Sequence, residues 1–113
     1  MLDKLRQKNK ERQDAWPGAE EVDGDLAFRG LELAGETGEL CNVLKKIERI
    51  RRGVAGSKPE ELPGLMAHVK EELGDVIICV DLIAMDLGIE LTEAVPEKFD
   101  KTSNKYGIPV TFD

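Results

Sequence analysis

The segment from Val76 to Leu87 is apolar on nearly every side of the helix that its pattern predicts. At about 100° per residue, its apolar side chains point in almost every direction around the axis. A helix that is apolar all round must be buried on all sides. Because the chain has room for four helices at most, one subunit can hardly surround this one. The segment therefore predicts a partner subunit, with this helix at or near the interface.

The rest of the chain also has helical patterns. The predicted helical segments are Leu2–Trp16, Leu26–Arg52, Leu65–Leu87 and Thr92–Lys105. The first is highly charged and is predicted to be an exposed helix or arm within residues 1–24. No segment shows the period-two alternation that is typical of strands. The sequence therefore predicts an all-α helix bundle, with residues 1–113 forming a single domain that oligomerisation completes.

Glycine and proline mark the predicted ends of the helices. Residues 53–64 carry three glycines and two prolines and are predicted to form a loop. Gly88 is expected to end the third helix at its C′ position. Thr92 is expected to cap the last helix, in which Pro96 is tolerable only within the first turn.

Charge limits the ligands that the chain can take. The 16 basic and 23 acidic residues give a net charge of −7. Such a surface argues against nonspecific binding of nucleic acid or of an anionic membrane, where the attraction comes from positive charge. An anionic ligand would therefore need a cation, such as a divalent metal ion, between itself and the protein.

The two cysteines and the N-terminus indicate a compartment. Cys41 and Cys79 both lie in helical patterns, and Met1–Lys10 is too charged for a secretory signal. Two reduced, half-buried thiols in a cytoplasmic protein are the expected state. The longest apolar run, Val76–Val80, is far too short to span a bilayer, so a soluble protein is expected.

Two acidic pairs lie in the middle helices. Glu36 and Glu39 are three residues apart, as are Glu72 and Asp75. Glu36 falls within about 40° of the apolar stripe of its helix, and Glu39 lies about 60° to one side. A solvated helix face explains either pair alone, but both pairs follow the same plan beside apolar neighbours. Several buried carboxylates need neutralisation, and hard oxygen ligands suit Mg²⁺ or Mn²⁺.

The two acidic stretches carry a family resemblance. "GETGEL" followed by "EELGDVI" resembles the signature of the MazG-like all-α nucleoside triphosphate pyrophosphohydrolases, over about Leu26 to Tyr106. The resemblance implies Mg²⁺-dependent cleavage between the α- and β-phosphates, which yields a nucleoside monophosphate and pyrophosphate. It also implies subunits that dimerise through helix bundles, so a homodimer or homotetramer is expected.

Further residues are candidates for catalysis and substrate binding. Spacing does not separate a ligand from a base, and Glu39 is chosen as the carboxylate that orients or deprotonates the water. Lys46, two turns beyond it, can reach a phosphate or simply be a solvated lysine at a helix end. Trp16 either stacks on a base, as aromatic residues near the N-terminus of relatives do, or packs the arm onto the bundle. His68 is expected on a solvated face.

The C-terminal helix resembles the closing segment of the family, where a lysine and an asparagine one turn on help to hold the nucleotide. Lys98 matches the lysine. Four residues further on the chain has Thr102, and its asparagine is Asn104. This departure leaves the contacts with the base or the sugar open.

The sequence thus predicts a Mg²⁺-dependent hydrolase that converts a (d)NTP into a (d)NMP and pyrophosphate, in nucleotide-pool house-cleaning. Phosphoribosyl-ATP pyrophosphohydrolase and the dimeric dUTPases have the same helical plan and metal chemistry, so they are alternatives. A non-catalytic helical interaction module is a third alternative, which the intact set of four acids disfavours.

Overall fold

Four α-helices make up most of the chain in the computed structural model of the protein, which describes residues 1–112. The helices are α1 (Leu2–Ala15), α2 (Leu26–Arg51), α3 (Leu62–Leu87) and α4 (Leu91–Lys105). Single turns of 3-10 helix occur at Ala19–Val22 and Pro59–Glu61. No strand occurs among the described residues. The all-α prediction is confirmed.

The chain divides into two compact units. The central unit, Leu26–Val80, contains α2 and most of α3. The terminal unit contains Met1–Asp25 and the chain from Asp81 onward, and therefore α1, the end of α3 and α4. The four predicted metal ligands all belong to the central unit.

Glycine ends α2 and α3 through the same backbone motif. Gly88 has a φ of 69°, and its N–H donates to Met85 O while the N–H of Ile89 donates to Ala84 O at 2.8 Å. This is the Schellman pattern, which requires the left-handed conformation that glycine adopts without steric cost. Gly53 ends α2 in the same way, with a φ of 65°. The prediction for Gly88 is confirmed.

The loop predicted at residues 53–64 is shorter than expected. It includes the 3-10 turn Pro59–Glu61, and α3 begins at Leu62 rather than at Leu65. Pro63 therefore lies in the first turn of α3, where its missing N–H has no intrahelical acceptor to lose. Proline was taken as a loop signal here, but it is equally compatible with the start of a helix.

The start of α4 also differs from the prediction. Glu90 occupies the N-cap position, no side chain caps the helix, and Thr92 lies inside the first turn. Because α4 begins before Thr92, Pro96 lies within the helix rather than in its first turn. The predicted Thr92 cap is wrong.

In the terminal unit, a buried ion pair anchors α1. The Asp81 side chain is fully buried and lies 3.1 Å from Nη2 of Arg6. Asn9 Nδ2 donates to Asp81 Oδ2 at 2.9 Å, and Arg6 Nη1 lies 3.2 Å from Glu90 Oε1. Arg6 also donates to the carbonyl of Ile89. The N-terminal segment was predicted to be an exposed helix or arm, but one face of α1 is tied down by these contacts.

Several apolar side chains of α3 remain exposed. Leu73 is 51% exposed, Ile77 46% and Leu87 51%. These values agree with the sequence argument that one chain has too little material to cover this helix, although the partner subunit itself stays a prediction. Among the described residues, no helix is long and apolar enough to cross a membrane.

The buried pair generates a stability prediction. Asp81→Asn keeps the shape of the side chain but removes the buried counter-charge of the Arg6 guanidinium, which is 11% exposed, and leaves only the half-exposed Glu90 beside it. Breaking a buried ion pair by removing one partner typically costs about 3–5 kcal/mol. Urea unfolding of the variant should show a loss of this size.

The control is Asp3→Asn, which removes an exposed acid from α1 and should change the free energy of unfolding by less than about 0.5 kcal/mol. A loss below about 1 kcal/mol for Asp81→Asn would show that the pair does not anchor α1.

Candidate metal centre

Three carboxylates converge between α2 and α3 in the central unit. One oxygen each from Glu36, Glu39 and Glu72 lies within 4.8 Å of the others. Residues three apart on a helix lie on neighbouring positions of one face, so α2 presents Glu36 and Glu39 together. The fold thus brings three of the four predicted ligands into one group.

Part of this group is withdrawn from water. Glu72 is only 5% exposed, Glu36 is half-buried and Glu39 is exposed. With the carboxylates ionised, Glu36 Oε2 and Glu72 Oε2 are buried and have no hydrogen-bond partner among the described residues. Buried acceptors without donors are costly. These two oxygens therefore call for a cation or a proton.

The pKa of Glu36 also indicates that the group needs a positive charge or a proton. Its pKa is raised from 4.5 to about 7, chiefly because a hydrogen bond with Glu72 favours the protonated form. Burial and the negative charges of Asp75, Glu39 and Glu72 act in the same direction. A proton on Glu36 thus relieves the repulsion that a metal ion would relieve more fully.

Asp75, the fourth predicted ligand, lies outside the group of three. It is exposed, and it influences the group through its charge, which helps to raise the pKa of Glu36. Its role as a ligand stays a prediction.

Two side-chain contacts in the central unit were not predicted from the sequence. His68 is exposed, as predicted, but its Nε2 also lies 3.0 Å from Glu72 Oε1, a contact that was not predicted. Its i, i+4 spacing to Glu72 was the signal that could have revealed the contact. Arg29 is buried and lies 3.8 Å from Glu32 Oε1. Nothing in the sequence pattern distinguished this arginine from a surface one.

Cys79 is a buried thiol in the same unit. Burial first, and then the charges of Glu32 and Glu36, raise its pKa to about 11. It therefore stays protonated near neutral pH and is a poor thiolate ligand or nucleophile. Both cysteines are free, as predicted, but neither is half-buried, since Cys41 is exposed and Cys79 is buried.

A cationic cavity occupies another part of the central unit. It has a volume of about 240 Å³, and Lys45, Lys46, Arg49 and Lys58 are among its lining residues. The lysines of α2 form no ion pair among the described residues, whereas Lys58 lies 4.0 Å from Glu61. The cavity thus has a local excess of positive charge, although the net charge of the chain is −7.

The other predicted substrate residues belong to the terminal unit. Trp16 is 59% exposed, with the Arg12 guanidinium 5.9 Å from its ring centroid. Lys98 is exposed and lines an apolar groove that includes Phe99. Asn104 is exposed near the end of α4, and its carbonyl accepts from Gly107 N. The terminal unit thus leaves all three side chains accessible.

Comparison with known proteins decides the family. The family model of the MazG nucleotide pyrophosphohydrolase domain matches residues 29–106, more than half of the chain. The protein belongs to the MazG family. The matched region includes both acidic pairs, Lys46, Lys98 and Asn104, and it excludes Trp16.

The chain is also similar to a phage protein. It is 29% identical over 92 residues to the "Gene 37 protein" of Mycobacterium phage L5, which covers 80% of this chain and 75% of the relative. No solved structure matches the chain significantly. For this MazG domain, the geometry of its own side chains is therefore the basis for assigning a site.

The raised pKa of Glu36 predicts how stability depends on pH in the metal-free protein. The native state holds a proton that the unfolded state releases near the ordinary value of 4.5. The stabilisation from this proton is complete below pH 4.5 and is lost as the pH rises through about 7. Glu36→Gln carries no ionisable group and should gain stability relative to the wild type across this window.

The measurement is urea unfolding of both proteins in EDTA at several pH values from 4.5 to 8. The difference between them should widen with pH in favour of Glu36→Gln. Parallel pH profiles would show that Glu36 ionises normally and does not share a proton with Glu72.

Proposed function

We propose that this MazG domain is a Mg²⁺-dependent nucleotide pyrophosphohydrolase, which converts a (d)NTP and water into a (d)NMP and pyrophosphate. The observation that carries the proposal is the convergence of the oxygens of Glu36, Glu39 and Glu72 within 4.8 Å. Membership of the MazG nucleotide pyrophosphohydrolase family supports it. A role in nucleotide-pool house-cleaning fits this reaction.

The residues present fit a divalent metal ion. The donors are carboxylate oxygens, which Mg²⁺ and Mn²⁺ prefer, and the buried thiol of Cys79, whose pKa is raised to about 11, stays protonated near neutral pH. Glu36 Oε2 and Glu72 Oε2 are buried oxygens in need of a cation. Glu36, Glu39 and Glu72 would hold the ion, and Asp75 is proposed as a further ligand. A bound ion neutralises phosphate charge and lowers the pKa of a coordinated water.

The exposed position of Glu39 would allow its carboxylate to orient or deprotonate the attacking water. In the reaction, an oxygen of water bonds to the α-phosphorus, and the bond from the α-phosphorus to the oxygen of the β,γ-unit breaks. A carboxylate beside the attacking water accepts its proton or orients it. Glu39 is the most solvent-accessible of the three converging glutamates, and we assign it this role.

The cationic cavity gives the phosphate chain a second place to bind. Lys46 lies seven residues beyond Glu39 on α2, which corresponds to about 10 Å along the helix axis. Its ammonium, together with the other cations of the cavity, would attract the negative charge of a polyphosphate. Lys98, Asn104 and Trp16 are proposed to contact the sugar and the base, since all three are accessible.

A homodimer or homotetramer is proposed as the working form, supported by the exposed apolar side chains of α3. The partners are expected to be a nucleotide and copies of the same chain rather than nucleic acid or a membrane, because the net charge is −7. A cytoplasmic location is proposed because both cysteines are free, and free thiols are typical of a reducing compartment.

Product analysis in ¹⁸O-labelled water tests the reaction. A panel of NTPs and dNTPs with Mg²⁺ should give pyrophosphate, with the label in the nucleoside monophosphate. Label in orthophosphate, accompanied by a nucleoside diphosphate, would mean attack at the γ-phosphorus and would overturn the proposal.

The same assay tests the residues. Single replacement of Glu36, Glu39, Glu72 or Asp75 by Ala should lower turnover at least about a hundredfold, because each removes negative charge from a metal that carries the catalysis. Circular dichroism should show that the helices persist. The matched control is Glu71→Ala, an exposed acid next to Glu72, which should retain activity. Activity like that of the wild type in Glu36→Ala and Glu72→Ala would refute the site.

Assembly is tested on α3. The wild type should be a dimer or larger by light scattering at micromolar concentration. Ile77→Lys places a charge at a position that is 46% exposed in one chain and should split the oligomer or unfold it. Glu71→Lys, at an exposed charged position of the same helix, is the control and should leave the mass unchanged. A native monomeric wild type would contradict the proposal.

A further inference from the structure

The contact between His68 and Glu72 is the one described hydrogen bond to a carboxylate of the three-glutamate group from a side chain outside it. His68 Nε2 lies 3.0 Å from Glu72 Oε1. Both residues are on α3 and four apart, so the helix itself aligns them on one face. The imidazole is 48% exposed, whereas the Glu72 side chain is 7% exposed. The bond therefore reaches from the solvent edge of the helix into the buried part of the site.

The chemistry of the two groups fixes the direction of this bond. When Glu72 is ionised, as a metal ligand must be, its carboxylate only accepts hydrogen bonds, and the imidazole then donates from Nε2. A nitrogen that donates its proton has no lone pair for a metal ion. His68 thus acts on Glu72 through Nε2 and does not bind an ion through that atom.

The hydrogen bond gives the two oxygens of Glu72 different surroundings. Oε1 contacts His68, while Oε2 is buried and, with Glu36 ionised, has no hydrogen-bond partner among residues 1–112. A carboxylate that rotated away from this orientation would lose the hydrogen bond with His68, so the contact favours one orientation of the group. Oε2 is therefore held as the oxygen whose lone pairs are free for a cation.

We propose that His68 is a positioning residue, whose Nε2–H orients Glu72 so that Oε2 is presented as a metal ligand. This inference rests on the proposed function, because it assigns a partner to one of the proposed ligands. Ligating side chains in metal sites are held by such outer hydrogen bonds, and loss of the partner typically weakens metal affinity about 10–100-fold. His68 adds to the acidic pairs a residue that neither the family signature nor the charge pattern indicates.

The experiment measures Mn²⁺ binding by the full chain, with free Mn²⁺ followed by electron paramagnetic resonance. His68→Ala removes the donor and should weaken binding about 10–100-fold. His68→Gln places an amide N–H near the position of Nε2 and should restore affinity to within about threefold of the wild type. His68→Asn carries the same amide on a shorter side chain and should bind as weakly as His68→Ala. Circular dichroism shows whether each variant has kept its helices.

The outcomes separate this inference from the proposed function. If wild type and His68→Ala bind Mn²⁺ equally well, the role of His68 is refuted while the metal site stands. If Gln does not restore affinity, the hydrogen bond is not what His68 supplies, and the inference also fails. Absence of Mn²⁺ binding in the wild type, or equal binding in Glu36→Gln, would overturn the metal site and this inference with it.

Discussion

Repulsion among Glu36, Glu39 and Glu72 is the constraint on which the rest of the site depends. One oxygen from each residue lies within 4.8 Å of the others. With the carboxylates ionised, Oε2 of Glu36 and Oε2 of Glu72 are buried and have no hydrogen-bond donor among the described residues. Two features of the chain reduce this repulsion in part: the pKa of Glu36 is raised to about 7, which favours a proton there, and His68 forms a hydrogen bond with Glu72. Neither neutralises the whole group. A divalent cation would, and it would also make an acidic protein able to bind a polyphosphate.

Features with a strict local cause could be predicted from the sequence. The all-α class followed from helical periodicity, and Gly88 ends α3 because the left-handed C′ position favours glycine. Glu36, Glu39 and Glu72 could be grouped because paired spacing on two packed helices leaves few other arrangements. The fourth acid, Asp75, could not be placed from spacing, because an exposed position at the edge of the stripe satisfies the same pattern.

Features that depend on contacts between distant residues could not be predicted. Arg6 and Asp81 are 75 positions apart, and neither position shows in sequence that the two form a buried pair. Pro63 was compatible with both a loop and the first turn of a helix, so the start of α3 depended on packing. His68 was predicted on a solvated face and is exposed, but its contact with the buried Glu72, four residues along α3, was not predicted.

The most direct test of the central claim is a crystal structure of the protein grown with Mn²⁺, with the ion located by its anomalous scattering. The account predicts a peak bonded to oxygens of Glu36, Glu39 and Glu72, at about the 2.1 Å that a hard six-coordinate cation requires. It also predicts that Glu72 binds through Oε2 while Oε1 keeps its bond to His68. An empty three-glutamate group beside Mn²⁺ bound elsewhere on the chain would contradict the account.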